Sequence, residues 1–435
     1  MNAALYRRHR KLLFSGRRWR MRLVFWGGAL AVGVVSVAFA ALATQATHLF
    51  QILLVRPWYA LILTPFGFVL SAWVADRFFP GSQGSGIPQA IAARHMKDPE
   101  ARSRLLSLRL TFGKILLTLF GLVCGASIGR EGPTVQVGAA ILLQAGKLGR
   151  MVSERGLILA GSAAGVAAAF NTPLAGIVFA IEEMGRAFEQ RNAGLVLIAV
   201  ILAGLASLGL VGNYSYFGSN ASMLTVTIDW VALVACGVVG GVAGALFAKV
   251  ALKGSDLLRQ WSSSAPGRRA LIQAGACGLV VALCGLLSHN ATYGTGYEAA
   301  RGAVEGGGHL PWSFAPLKML ATLASTMSGI PGGFFAPTLS IGAGLGDMIA
   351  DLLHVHAPGA IVLLGMTAYF AGVVQAPITA AVIIGEMSND TGMRLPLLLA
   401  ALIGYGVSHV FQRESLYHAL ARNFLARQPQ TQTES

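Results

Sequence analysis

The sequence predicts an all-α polytopic membrane protein assembled from two related halves with interrupted helices. Three observations predict it. Only 12% of the 435 residues are charged, about half the share of an ordinary soluble protein, and the mean hydropathy is +0.63. Several apolar stretches approach the roughly 20 residues that a membrane-spanning helix needs. The chain also repeats itself at an offset of 204 residues, as Lys114 against Lys318 illustrates.

The N-terminal segment, residues 1–22, holds Arg7, Arg8, Arg10, Lys11, Arg17, Arg18, Arg20 and Arg22 and no acid. Short basic flanks of spans belong on the cytoplasmic side, and a second basic run, Arg94 to Arg109, is expected there too. Ser15-Gly16-Arg17-Arg18 before an apolar run resembles a twin-arginine export signal. Hydrophobic segments nevertheless continue to the end of the chain, so the first stretch reads as an uncleaved helix. The clearest spans are Leu23–Ala46, Trp58–Val74, Leu195–Val211, Val231–Ala251, Ala270–Leu287 and Leu395–Val410. The net charge of +15 therefore marks a membrane surface. No foldable soluble unit interleaves aromatic and basic residues as nucleic-acid binding would require. Cys124, Cys236, Cys277 and Cys284 lie in apolar stretches without metal-type spacing and read as packing residues.

The repeat has three blocks that share one offset without a gap. Lys114-Ile115-Leu116 aligns with Lys318-Met319-Leu320, and Pro133 to Ala139 with Pro337 to Ala343. Pro173-Leu174 aligns with Pro377-Ile378, followed by Glu182 opposite Glu386. The expected organisation is a first transmembrane repeat at 23–215, a second at 225–425 and a short cytoplasmic tail at 426–435. Similarity alone leaves open whether the repeats are parallel or inverted.

Gly129-Arg130-Glu131-Gly132-Pro133 and Gly333-Phe334-Phe335-Ala336-Pro337 occupy equivalent positions, each ahead of a helical run. Proline suits the first helical turn, so each half breaks a helix in the membrane and restarts one. Broken backbone at that depth must be buried in protein or line a cavity. A restarted helix offers free N–H groups and a partial positive charge to an anion. Two such starts converging on one ion suggest anion transport.

Gly84-Ser85-Gly86-Ile87-Pro88, Gly129 to Pro133 and Gly333 to Pro337, in that order and with Tyr417 near the C-terminus, resemble the GSGIP, GREGP and GxFxP motifs of the CLC family. The resemblance spans about residues 20 to 425. It implies an inverted repeat of tilted, often incomplete helices, forming a homodimer in the bacterial inner (plasma) membrane with both termini cytoplasmic. It also implies one anion pathway per subunit, with chloride and protons as the transported species and no cofactor or metal. No regulatory CBS pair follows Tyr417, which suits a prokaryotic form.

An ionisable residue in membrane-embedded sequence is a functional hypothesis by default. Glu131 qualifies, and because its repeat mate is Phe335 the fold itself requires no carboxylate there. By resemblance Glu131 is the external gate: its carboxylate occupies an anion position, or takes a proton and swings away. A neighbouring anion favours the protonated carboxyl, which links anion occupancy to protonation. Resemblance assigns the hydroxyls of Ser85 and Tyr417 and the main-chain N–H groups of Phe334 and Phe335 to a central chloride site. The N–H groups of Arg130, Glu131 and Gly132 would line an outer site for which Glu131 competes. An ion held by dipoles alone can both enter and leave.

Glu183 bears on exchanger against passive anion channel. Read unaided, it is either a helix-end carboxylate, with Arg186 as a partner, or a proton site. Exchangers of the family carry a glutamate here for intracellular proton transfer, so resemblance favours exchange. Glu182, matched by Glu386, reads as structural. Several bacterial relatives carry acids just after GSGIP where this chain has Gln89 and Ile91, which bears on the inner proton path. The intact motifs argue against a fluoride exporter, and Ser85 favours chloride over nitrate. No clustered nucleophile, base or metal-ligand set points to an enzyme; the nine histidines are scattered.

Overall fold

The computed structural model describes residues 16–426 apart from 186–189, 213–215, 219–223, 225–226, 264, 266, 389 and 391. The basic residues before position 16, Arg186 and the tail from 427 onward lie outside the described residues. The first half contains α1 (Gly16–Leu53), α2 (Ala60–Phe78), α3 (Ile87–His95), α4 (Pro99–Leu105), α5 (Leu108–Val123), α6 (Glu131–Gly149), α7 (Glu154–Phe170), α8 (Pro173–Phe179) and α9 (Gln190–Val211). A π-helical turn, Ala180–Gly185, extends α8. The second half contains α10 (Thr227–Ser263), α11 (Arg268–Leu287), α12 (Tyr297–Val304), α13 (Phe314–Met327), α14 (Phe335–Leu353), α15 (Pro358–Val374), α16 (Pro377–Ser388), α17 (Arg394–Phe411) and α18 (Leu416–Leu425).

The six apolar stretches all fall within helices long and apolar enough to cross a membrane, and the stretch after the export-like signal is one continuous helix from residue 16. A seventh such segment, Pro99–Val123, joins α4 and α5. The basic run hides it in the sequence, but not all of that charge faces solvent. Arg94 donates to the Met184 carbonyl at 2.7 Å. Arg102 is buried between the carbonyls of Ala93 and Met96 and the Glu154 carboxylate.

The core consists of helices too short or too enclosed to face lipid. α7 and α15 are buried over nearly their whole length, as expected of helices apolar on every side. They lie against α6 and α14 at glycine-to-glycine crossings. A Cβ at Gly138 would stand 2.2 Å from the Gly161 carbonyl, and one at Gly342 would stand 2.7 Å from the Gly365 carbonyl. These two pairs are related by the same 204-residue offset.

The offset persists in the backbone. α6 to α9 begin at residues 131, 154, 173 and 190, and α14 to α17 at 335, 358, 377 and 394. Left-handed residues end α6 and α7 at Arg150 and Asn171, and α14 and α15 at His354 and Gln375. The question left open by the sequence is decided at Gly129 and Gly333. Each donates its N–H to the other's carbonyl, at 2.5 and 2.8 Å, in an antiparallel bridge. Equivalent residues that pair antiparallel are related by a two-fold axis between them, and the equivalent helices α8 and α16 run antiparallel, each start bonded near the other's end, so the repeats are inverted.

The symmetry recurs at Glu182 and Glu386. The Glu182 carboxylate accepts the N–H groups of Ile378 and Thr379 at the start of α16. The Glu386 carboxylate accepts those of Leu174 and Ala175 at the start of α8. Each half thus supplies the N-terminal cap for a helix of the other, a favourable position for an acid. The structural reading of Glu182 agrees with these bonds.

Candidate functional site

The three glycine-rich segments are joined by main-chain hydrogen bonds. Beside the Gly129–Gly333 bridge, Gly84 donates to Ile330 and accepts from Gly332, both at 3.2 Å. Buried Lys114 adds a 3.0 Å bond to the Gly84 carbonyl. Gly86 has φ +108°, a conformation that favours glycine. Its N–H donates to the Gln89 side-chain oxygen at 2.9 Å, and the Gln89 amide donates to the Gln83 carbonyl at 2.6 Å. Gln89 therefore braces this loop.

Four helix N-termini converge here. α3 begins just after Ser85, α6 at Glu131, α14 at Phe335 and α18 one residue before Tyr417. The N-cap residues Arg130 and Phe334 provide no side-chain cap, which leaves the first-turn N–H groups of α6 and α14 without an N-cap side chain. Ser85 and Gly132 are in close contact: a Cβ on Gly132 would lie 2.3 Å from the Ser85 Oγ. The Phe334 and Tyr417 rings stack, with centroids 4.8 Å apart. Phe335 packs instead on Phe170 and Phe370.

Ser85 Oγ and Tyr417 Oη are both buried, and neither makes a hydrogen bond of good geometry among the described residues. Buried hydroxyls are almost always satisfied. These two lie close enough to act on one another, and the charges of Glu183 and Glu131 both reach Tyr417. The expected central-site groups Ser85, Tyr417 and Phe334 are thus brought together, with a carboxylate on either side.

Glu131, the first residue of α6, is 1% exposed. Its Oε1 accepts the Tyr297 hydroxyl at 2.9 Å and lies 3.8 Å from Arg130 Nε. The N–H groups of Glu131 and Ala336 also act on the carboxylate. The Arg130 side chain turns toward α1, donating to the Ala40 carbonyl and Thr44 hydroxyl. The Arg130 Nη1 is thus turned away from the site, while its Nε stays beside the Glu131 carboxylate. Glu183, 2% exposed, projects from the π-helical turn. Such turns often mark functional positions. Glu183 Oε1 faces Ser415 Oγ at 3.4 Å and His418 Nε2 at 3.8 Å, and His418 Nε2 reaches the Glu183 carbonyl at 2.8 Å. Helix α18 and its N-cap Ser415 therefore carry both Tyr417 and the neighbours of Glu183.

Sequence reasoning missed Tyr297 and His418. Both meet their carboxylates through contacts 166 and 235 residues apart, and no local pattern marks them. Among the described residues, no group of three or more His, Cys, Asp or Glu could hold a metal ion.

A cavity of about 510 Å³ reaches Ser85, Gln89 and Phe334 from one side. Another of about 410 Å³ ends at Arg130 and Tyr297 on the Glu131 side. Two inverted membrane-helical repeats meeting at a buried polar crossing between two cavities define a secondary-transporter type of architecture. The chain belongs to the family described as "Voltage gated chloride channel", which it matches over residues 66–409. It is 31% identical over 408 residues to the H(+)/Cl(-) exchange transporter ClcA of Yersinia pestis bv. Antiqua (strain Angola), covering 86% of this chain and 80% of that protein. Its structure resembles that of a slow cyanobacterial Cl-/H+ antiporter, with a TM-score of 0.81, 27% identity and coverage of 94% and 99% of the two chains. A CLC-type fluoride/proton antiporter shares the fold at a TM-score of 0.76 and 22% identity, covering 92% of this chain and 97% of that one.

Proposed function

We propose that this protein exchanges chloride for protons across the bacterial inner membrane, with Glu131 as the outer gate and Glu183 as the inner proton-transfer group. The observation that carries the reading is the pair of buried hydroxyls of Ser85 and Tyr417, neither with a well-formed hydrogen bond among the described residues, where Ser85 touches the residue after buried Glu131 and the neighbours of Tyr417 touch buried Glu183. Chloride accepts hydrogen bonds and has none to give, so it suits two hydroxyl donors and the N–H groups of Phe334 and Phe335. The N–H groups of Arg130, Glu131 and Gly132 form the outer position, where chloride and the Glu131 carboxylate exclude one another. Protonation of Glu131 removes its charge and its claim on that position, so chloride moves outward as the proton moves in. Glu183 then exchanges the proton with the cytoplasm.

The helix directions support this orientation. α1 rises from its arginines to a C-terminal end that lines the Glu131-side cavity, at Thr44 and Gln51. α2 returns, and its last turn at Asp76 lines the cavity that reaches Ser85, as do Leu420 and Phe424 of α18. With the basic end of α1 cytoplasmic, Glu131 faces outward and both termini face inward. The organisation at 23–215 and 225–425, with a tail at 426–435, and a homodimer with one pathway per subunit, belong to the same proposal.

A passive anion channel would keep the chloride site and lose stoichiometric coupling. The deciding experiment imposes a chloride gradient on proteoliposomes and follows protons, for wild type and Glu183→Gln. Uphill proton movement by wild type, with proton-free chloride flux in the variant, is expected. Chloride flux without any uphill proton movement in wild type would overturn exchange and leave the channel reading.

A further inference from the structure

We propose that Tyr297 is a positioning residue that latches the Glu131 gate, its phenol donating to the seated carboxylate and restraining its release. This rests on Glu131 being the gate.

The placement of Tyr297 is rigid. It opens α12 directly after Gly296, whose φ of +79° turns the chain. The preceding loop is held from behind, with Lys318 Nζ donating to the carbonyls of Thr292 and Gly294 at 2.9 and 2.8 Å. Ser340 on α14 donates to the Gly296 carbonyl at 3.1 Å. The Tyr297 ring packs on Tyr216 and Phe217, with centroids 4.5 and 5.6 Å away. The Arg130 guanidinium lies 5.7 Å above the Tyr216 ring. Ring, loop and helix start thus hold the hydroxyl 2.9 Å from Glu131 Oε1 without further ordering.

The charged and titratable groups around Glu131 are few. Arg130 approaches through Nε at 3.8 Å, but its Nη1 is committed to Ala40 and Thr44. Tyr417 lies on the central-site side, and Lys318 is engaged with the loop carbonyls. Tyr297 makes the side-chain hydrogen bond to Glu131 among the described residues. It also lines the outer cavity, so it stands where a proton or chloride arriving from outside meets the gate.

A phenol donor favours the ionised over the neutral carboxyl, and it is lost when the side chain swings away. The latch therefore competes with both protonation and outer chloride, holding turnover low until the outer face is acidic.

Tyr297→Phe deletes the hydroxyl and keeps the ring stack. With chloride efflux measured from proteoliposomes as a function of pH, the half-maximal point should move upward by about one pH unit. This is the scale of one hydrogen bond to a charged group. Flux at neutral pH should rise severalfold while coupling is retained. In a Glu131→Gln background the same substitution should change flux by less than about twofold, because no carboxylate remains to latch. An unchanged pH profile in Tyr297→Phe would sink the proposal. So would an equal flux change in both backgrounds, which would assign Tyr297 to the shape of the vestibule. Failure of the gate reading looks different: Glu131→Gln alone would keep pH-dependent, proton-coupled transport.

Discussion

Replacing Gly132 with alanine tests how the two glycine-rich motifs make one site. The new Cβ would lie 2.3 Å from the Ser85 Oγ and 2.7 Å from the Ser85 carbonyl oxygen. Ordinary carbon–oxygen contacts begin near 3.3 Å, so the two backbones must part by about 0.6 Å. The Ser85 loop has little freedom to yield. It is held by Lys114 on Gly84, Gln89 on Gly86 and the bridge to residues 330–332. Overpacking of this kind costs about 1–3 kcal/mol. On the proposed role of Ser85, its displaced hydroxyl loses its aim at the anion. One hydrogen bond to a charged group contributes about 1.5–3 kcal/mol, so chloride affinity should fall roughly tenfold to a hundredfold. Titration calorimetry of the detergent-solubilised variant measures this, with its melting temperature as the check on folding. Gly302→Ala, where a Cβ meets nothing within 4 Å, should leave affinity unchanged. A folded Gly132→Ala protein that binds chloride as wild type does would refute the coupling of the motifs through this contact.

Two further predictions concern the supports of the site. Glu182→Ala and Glu386→Ala should each destabilise the protein by about 1–2 kcal/mol, the scale of a lost helix cap, and by similar amounts because their bonds are equivalent. Thermal melting that finds one large loss and one negligible loss would contradict the reciprocal capping. Lys114→Met should weaken chloride binding severalfold by freeing the Gly84 carbonyl, whereas Lys318→Met, which acts on the outer loop, should leave affinity within about twofold. Calorimetry on both variants separates them, and equal losses would show that neither lysine has a local role.

Inversion itself shows where the reach of the sequence ends. Lys114 and Lys318 align in the repeat, yet one holds the Ser85 loop and the other holds the loop before Tyr297. Alignment compares residue types along one strand of text and says nothing about direction in space. Glu131 and Phe335 begin equivalent helices, but only the first is polar, and that asymmetry was visible without coordinates.

The sequence by itself determined the membrane class, the duplicated halves and the places where helices restart, because apolar run length, proline position and glycine turns are local properties. It also singled out Ser85, Glu131, Glu183 and Tyr417 through motifs that lie near helix ends. Only the tertiary structure decided that Gly129 pairs antiparallel with Gly333 and that each half caps a helix of the other. It alone placed Tyr297 against Glu131 and His418 against Glu183. These contacts join residues 166 to 235 positions apart. Their geometry is set by the packing of whole helices, which no pattern of neighbouring residues encodes.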